Sequence, residues 1–417
     1  MLERSRIAAA PLLVISLALA TGCASHSGPK PAGSASGSGA RGEQAAPMSA
    51  ADYVQAGDGD FARGLLDEAE GQYRLALQAD STNQGALVGL GQVAMARGDY
   101  AQALPYLQRA TQVSTQLVTA FRSLGDAYAA TGNLSGAAAA YRQAVALAPA
   151  NLDLRFALAS ALVQIADYDE AADVCQGAIR IAKGNPPALA QAYRQLGEVY
   201  AGDGRAPESM VALYKAAELA PRDVETARSL AASAARAGLY AEAAAAYSRL
   251  LQLAPLDVDA KKQLAWVNFK LERYNVAVKD YEAVGDSLGS VDRYYLAQSY
   301  AKTEKVDRAV ELFRQIAQAD PENYRGVYCN MAYAYYDANR YQRAIEAARE
   351  GLAGDSTSAC LRFCWAQALD KLGRHQEAIP IFESVLNDPA YAEPAQRELE
   401  RQRRIVRLLQ SKEKSSN

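Results

Sequence analysis

Histidine and cysteine carry much of metal and acid–base chemistry, and this chain of 417 residues has two of the first and five of the second. His26 lies in a Gly/Ser-rich stretch and His375 stands alone near the C-terminal end. Neither has the sequence partners that a metal site or an imidazole acid–base site needs. Asp58-Gly59-Asp60 opens like a calcium loop but lacks the later oxygen ligands and the closing glutamate. No Gly-Lys-Ser or Gly-Lys-Thr phosphate loop, His-Glu-x-x-His or Gly-x-Ser-x-Gly elbow occurs. Cys360 and Cys364 have the wrong spacing for a redox pair. No catalytic, cofactor-binding or metal-binding residue is assigned, no cofactor is expected, and the chain reads as a non-enzyme. Lys and Arg number 44 against 47 Asp and Glu, a net charge of -3, so the basic footprint of a nucleic-acid binder is absent.

The remaining reactive residue is Cys23, and its setting is an export signal. Arg4 and Arg6 precede an apolar run from Ile7 to Leu19, followed by Ala20, Thr21 and Gly22. A basic start, an apolar stretch too short to span a membrane and a small-residue cut site describe a secretory signal over residues 1–22. Leu19-Ala20-Thr21-Gly22-Cys23 resembles the lipobox of bacterial lipoproteins, with Ala20 where that family usually has leucine. The resemblance implies lipidation at Cys23. With Ala24 rather than aspartate next, it implies an outer-membrane anchor facing the periplasm. The other reading is a cut after Ala20 that releases a soluble periplasmic or secreted protein. Residues 23–50 are Gly, Ser, Ala and Pro with few large apolar side chains, a composition that cannot bury enough surface to fold. As a tether they would span about 30 Å.

From residue 51 one pattern recurs to about residue 389. Its clearest copy is Leu124-Gly125-x-x-Tyr128, then Ala137, Tyr141 and Pro149. This resembles the tetratricopeptide repeat, whose period is about 34 residues. The small residue where two helices cross is read as Ala69, Ala103, Ala137, Ala171, Ser209, Ala243, Ala277, Ala309, Ala344 and Ala378. Successive spacings are 34, 34, 34, 38, 34, 34, 32, 35 and 34. The resemblance implies an all-α, right-handed solenoid of about ten helix-turn-helix hairpins. Gly98, Gly132, Gly204, Gly238 and Gly373 are expected in the turns within hairpins, where the left-handed backbone suits glycine. Pro149, Pro221, Pro255 and Pro321 close units because proline cannot continue a helix. The 38-residue interval traces to an insertion around Gly184-Asn185-Pro186-Pro187. The 32-residue interval follows Gly285-Asp286-Ser287-Leu288-Gly289. Either these joints divide the array into blocks or they are tolerated loop changes.

Residues 390–417 are read as a charged capping helix and tail. Leu399, Ile405, Val406 and Leu409 lie on an apolar stripe, and Arg401, Arg403, Arg404 and Arg407 form a cluster open to an acidic partner or anionic lipid. Cys329 falls early in the first helix of the ninth repeat, and Cys360 and Cys364 on the matching helix of the tenth. A disulfide from Cys329 to either is open in an oxidising compartment. Cys175 falls where the repeat takes an apolar residue.

In this family the first helices of successive hairpins line a concave groove. Carried over by position, the early repeats present Arg122, Asp126, Arg194, Glu198, Arg228 and Arg236. The later repeats present Lys262, Trp266, Phe269, Lys270, Tyr294, Lys302, Tyr333, Tyr336 and Phe363, with Lys371 beyond them. Aromatics interspersed with cations are typical of interface hot spots, and an extended or helical peptide would lie against them. The Lys/Asn set that some relatives use to clamp a terminal carboxylate does not appear. The resemblance implies a protein-binding scaffold for envelope proteins, similar to lipoproteins that assemble a pilus, a secretin or a polysaccharide-export complex. An adaptor for peptidoglycan enzymes or outer-membrane protein assembly, and a non-catalytic subunit of an enzyme complex, are the alternatives.

Overall fold

A computed structural model of the chain describes residues 48–416. The expected signal segment, Cys23 and most of the tether lie outside the described residues. Among the described residues the structure is all-α, with 21 α-helices and no strand. The first five hairpins pair Ala50–Ala62 with Leu66–Ala79 (α1, α2), Gln84–Ala96 with Tyr100–Val113 (α3, α4), Val118–Ala130 with Leu134–Leu147 (α5, α6), Leu152–Gln164 with Tyr168–Ile181 (α7, α8), and Pro186–Gly202 with Ala206–Leu219 (α9, α10). The next five pair Val224–Arg236 with Tyr240–Leu253 (α11, α12), Val258–Lys270 with Tyr274–Glu282 (α13, α14), Ser290–Lys302 with Val306–Ala319 (α15, α16), Val327–Asp337 with Tyr341–Gly354 (α17, α18), and Ala359–Lys371 with His375–Glu383 (α19, α20). Ala392–Ser416 (α21) follows the tenth hairpin.

The sequence sets both ends of these helices. Asn83, Asn151, Asp223 and Asp257 each accept a hydrogen bond from the backbone N–H three residues on, at 3.0, 3.2, 2.8 and 2.9 Å. A cap of this kind contributes about 1 kcal/mol. Ser49 and Asp52 exchange backbone and side-chain bonds in a capping box that starts α1. All ten turns inside the hairpins pass through one left-handed residue, at Gly64, Gly98, Gly132, Ala166, Gly204, Gly238, Glu272, Glu304, Asn339 and Gly373.

Packing follows the small-residue register. Each of the ten crossing residues is the fourth of its helix and is wholly excluded from solvent. Ser209, the one hydroxyl among them, donates to the Gly197 carbonyl at 2.7 Å and meets Ser233 Oγ at 2.7 Å, so its buried oxygen is satisfied. Opposite the crossing the partner helix offers a small residue, glycine at Gly57, Gly91, Gly125 and Gly197 and alanine in the other six hairpins. A Cβ on Gly125 would lie 2.5 Å from Tyr141 Cε1, so only glycine admits the ring there. Each hairpin packs on the next, and a single apolar cluster runs from α13 through α19, as stacked repeats require.

Neither joint interrupts the stack. The insertion lengthens α9 to 17 residues, with Pro186 as its first. The short interval leaves α14 with nine residues, followed by a 3-10 turn at Gly285–Ser287. α8 packs on α9 and α14 on α15.

The terminal stripe is corrected. Ala395, Leu399 and Gln402 are the buried positions of α21. Ile405 and Val406 are half-buried, whereas Leu409 is 50% exposed. The physical reason is length: α20 offers only nine residues to cover a 25-residue helix. The docked part is tied by Asp370, which accepts from Gln402 at 2.7 Å, faces His375 at 3.1 Å and pairs with Arg401. Arg403 pairs with Glu383 at 2.6 Å, so half of the basic cluster is already neutralised.

Candidate partner-binding surface

First helices of neighbouring hairpins touch directly: α1 and α3, α3 and α5, α7 and α9, α9 and α11, α13 and α15, α17 and α19. Second helices make no comparable contacts with one another. The array is therefore tighter along its first-helix side, which becomes the inner face. Side chains on that side see both a neighbouring repeat and solvent.

Over the last repeats this face carries a ladder of half-buried aromatic rings. Trp266 on α13 stands edge-on to Tyr240 at 5.7 Å, with Lys270 Nζ 5.5 Å from its ring centre. Phe269 contacts Tyr274 at 5.6 Å and Tyr295 at 5.0 Å. Tyr294 on α15 leans on Tyr295, Phe313 and Tyr324 at 5.7, 5.9 and 6.3 Å, and its hydroxyl accepts from Asn330 Nδ2 at 2.9 Å. Tyr333 and Tyr336 on α17 are 6.2 Å apart, and Tyr336 touches Tyr341 at 5.5 Å. The Tyr333 hydroxyl donates to Gln367 Oε1 at 3.5 Å. Burial raises the pKa values of Tyr324, Tyr333 and Tyr336 above the usual tyrosine value, so these hydroxyls stay protonated. Contacts of this geometry hold rings in place beyond their area burial, by roughly 0.5–1.5 kcal/mol per pair.

The cations divide. Lys262 Nζ sits 3.9 Å from Asp292 Oδ2 with only 20% of its side chain exposed, so it serves the α13–α15 contact. Lys270 is half-buried over Trp266, and Lys302 and Lys371 are exposed.

Phe363 is a correction. It is 7% exposed and packs against Phe382 at 5.6 Å and Tyr391 at 5.3 Å. Tyr391, in the link to α21, packs over it, and Phe363 is core, as are Val88 and Phe156 at the matching position of the second and fourth repeats. Tyr240, Tyr295 and Tyr324 belong to the ladder and were not assigned from sequence. Tyr324 sits in the loop after α16, where repeat positions give no guide.

The three C-terminal cysteines are resolved into a pair and a single. Cys329 of α17 and Cys360 of α19 form a disulfide with Cα atoms 6.2 Å apart. It ties the ninth repeat to the tenth beside Tyr333. Cys364 is a free buried thiol, as is Cys175. Burial pushes both thiols up to about 12, so neither is a nucleophile at neutral pH.

On the early repeats three of the four inward arginines are already paired. Arg122 lies 4.0 Å from Asp126, Arg194 2.9 Å from Glu198 and Arg228 2.7 Å from Asp257. Asp58, in the stretch that opens like a calcium loop, accepts from the Tyr73 hydroxyl at 2.7 Å. Among the described residues no cluster of His, Cys, Asp and Glu is placed to hold a metal ion.

Models described as tetratricopeptide repeat match residues 81–150, 122–186 with 228–287, and 293–323. The chain is a tetratricopeptide-repeat protein. Residues 314–385 of this tetratricopeptide array also match a model described as anaphase-promoting complex, cyclosome, subunit 3. Among curated proteins it is similar to cellulose synthase 1 operon protein C of Komagataeibacter xylinus, 37% identical over 118 residues, covering 27% of this chain and 9% of that one. It is also similar to protein O-mannosyl-transferase TMTC1 of Homo sapiens, 29% identical over 138 residues, covering 33% and 15%. The chain thus spans less than a sixth of the length of either relative. Among solved structures, YrrB, described as a TPR protein with an unusual peptide-binding site, is 22% identical with a TM-score of 0.39, over 43% of this chain and 90% of that one.

Proposed function

We propose that this tetratricopeptide protein is a non-catalytic scaffold of a bacterial envelope, held at the outer membrane by lipid on Cys23. Its inner face over repeats seven to nine takes an extended or helical segment of a partner protein. One observation carries the binding-surface part: the aromatic ladder from Trp266 to Tyr336. Its rings are fixed by their neighbours yet not fully covered, and Lys270 lies against it. Rigid aromatics beside a cation bind with little entropic cost. The envelope part is supported by the signal-like run and the lipobox resemblance around Cys23. The likeness to a cellulose synthase operon protein favours a polysaccharide-export assembly over a pilus or secretin.

The test is crosslinking in intact envelopes, comparing the natural chain with Trp266→Ala/Tyr294→Ala/Tyr333→Ala, after matching their helicity by circular dichroism. A discrete set of envelope proteins captured by the first and lost by the second supports the surface. Equal capture by both moves recognition to the outer face or the terminal helix. Cys23→Ala is expected to abolish incorporation of a fatty-acid label, and a label retained would end the anchor reading.

A further inference from the structure

Beside the ladder, one rim of the inner face carries a row of cations. Arg236, Lys270 and Lys302 are the last residues of α11, α13 and α15, each seven residues before its hairpin's crossing residue, Ala243, Ala277 or Ala309. One helical turn separates each from the inner-face position that Trp266 holds on α13, so the three share its side of the array. Arg228 and Lys262 on the same face are held by Asp257 at 2.7 Å and Asp292 at 3.9 Å. Among the described residues Arg236, Lys270 and Lys302 have no carboxylate partner, and Lys270 lies over the Trp266 ring. A cation suits the C-terminal end of any helix, but the first five repeats place Ala62, Ala96, Ala130, Gln164 and Gly202 there. The helix end alone therefore does not account for the row, which starts where the aromatic ladder starts.

Nearby acids do not cancel the row. Glu225 and Asp259 sit in the first turns of α11 and α13, about 17 Å along the helix from Arg236 and Lys270, well beyond a screening length of about 8 Å. Glu272 and Glu304 follow in the turns, but Arg273 and Lys305 come directly after them. Asp337 takes the position in the ninth repeat and ends the row. We infer that the segment bound on the inner face is an acidic peptide. Its carboxylates meet Arg236, Lys270 and Lys302 along the rim while its apolar side chains cover the rings from Trp266 to Tyr336. Helices are about 10–12 Å wide and an extended chain rises about 3.3 Å per residue, so one carboxylate per repeat falls roughly every three or four residues. This inference rests on the proposed inner-face binding and names the chemistry of its partner.

A phage-displayed library of random twelve-residue peptides, panned on the full chain, tests it. Recovered peptides are expected to carry Asp or Glu at that spacing around an aromatic or apolar residue. A fluorescein-labelled synthetic copy should bind Arg236→Gln/Lys270→Gln/Lys302→Gln, matched in helicity, about tenfold more weakly than the natural chain, the scale of three exposed ion pairs. At about 0.5 M salt the two should converge, while the Trp266→Ala/Tyr294→Ala/Tyr333→Ala loss persists. Peptides without acidic enrichment, bound equally with and without the cations but lost with the rings, overturn the acidic partner and leave the ladder standing. Loss with the cations alone would keep an acidic partner and end the ladder reading. Peptides indifferent to both sets of substitutions, or none recovered, end the inner-face binding and this inference with it. Polygalacturonate held by the same three cations, with no acidic peptide recovered, would replace the peptide by an anionic polysaccharide.

Discussion

The Tyr141 hydroxyl donates to Asp126 Oδ1 at 2.7 Å, and fifteen residues separate them. Tyr73 makes the same contact with Asp58 at the same separation and distance. The matching ring of the seventh repeat, Tyr281, is wholly buried but its hydroxyl has no partner, because Trp266 stands where the first and third repeats have Asp58 and Asp126. These rings fill the same space with different polar outcomes. Tyr73→Phe and Tyr141→Phe each lose a hydrogen bond to a charged acceptor, at a cost of about 1.5–3 kcal/mol. Tyr281→Phe removes an unsatisfied buried hydroxyl and should be neutral or stabilising. Urea unfolding of the three variants checks the contrast. A Tyr281→Phe loss as large as the other two would show that its hydroxyl is bonded.

Asp126 should make stability depend on pH in an unusual direction. Burial raises its pKa above the ordinary carboxylate value of 3.8, against the lowering effects of the Tyr141 bond and Arg122. Folding therefore favours the protonated form. That contribution is fully present below the ordinary value and is lost as pH rises through the folded one. Asp126→Asn keeps an acceptor for Tyr141 without the charge. The variant should match the natural chain in acid and exceed it at neutral pH. The gain is small, because the side chain is 40% exposed. Denaturant midpoints across pH 3–7 read it, and a variant weaker at neutral pH than in acid would reverse the assignment.

Close packing made the array legible in the sequence. The ten crossing residues were readable because two helix backbones meet there and only a small side chain fits. Turn glycines were readable where glycine was used, but Ala166, Glu272, Glu304 and Asn339 leave no compositional mark on the same conformation. The binding face was legible by position up to the point where the array ends. Phe363 obeys the repeat and is buried beneath Tyr391, and Val88 and Phe156 at the same position are buried too, so repeat position alone does not say which side chains stay open.

Four of the ten turns hold non-glycine residues at positive φ, Ala166 at 61°, Glu272 at 59°, Glu304 at 60° and Asn339 at 60°. An L side chain there costs roughly 1–2 kcal/mol, while asparagine tolerates the region better. Ala166→Gly, Glu272→Gly and Glu304→Gly should each stabilise the array by about 0.5–1 kcal/mol after glycine's larger unfolded-state entropy is counted. Asn339→Gly should gain least. Thermal midpoints of the four single variants order them. A loss in all four would mean that these side chains hold their turns by contacts stronger than the backbone cost.

The bridge between Cys329 and Cys360 closes a loop with a sequence separation of 31. Chain entropy alone assigns such a loop about 3–4 kcal/mol. Reduction should therefore lower the unfolding midpoint, and Cys329→Ser/Cys360→Ser should reproduce the drop without further sensitivity to reductant. Cys364 lies one turn from Cys360 on α19, but its thiol, pushed up by burial to about 12, is protonated and does not exchange with the bridge. Titration of the natural protein with a thiol reagent should find neither Cys175 nor Cys364 reactive while folded, and both reactive once it is unfolded without reductant. Reductant should then add two more. Four reactive thiols before reduction, beyond any contribution from Cys23, would mean that the bridge does not form.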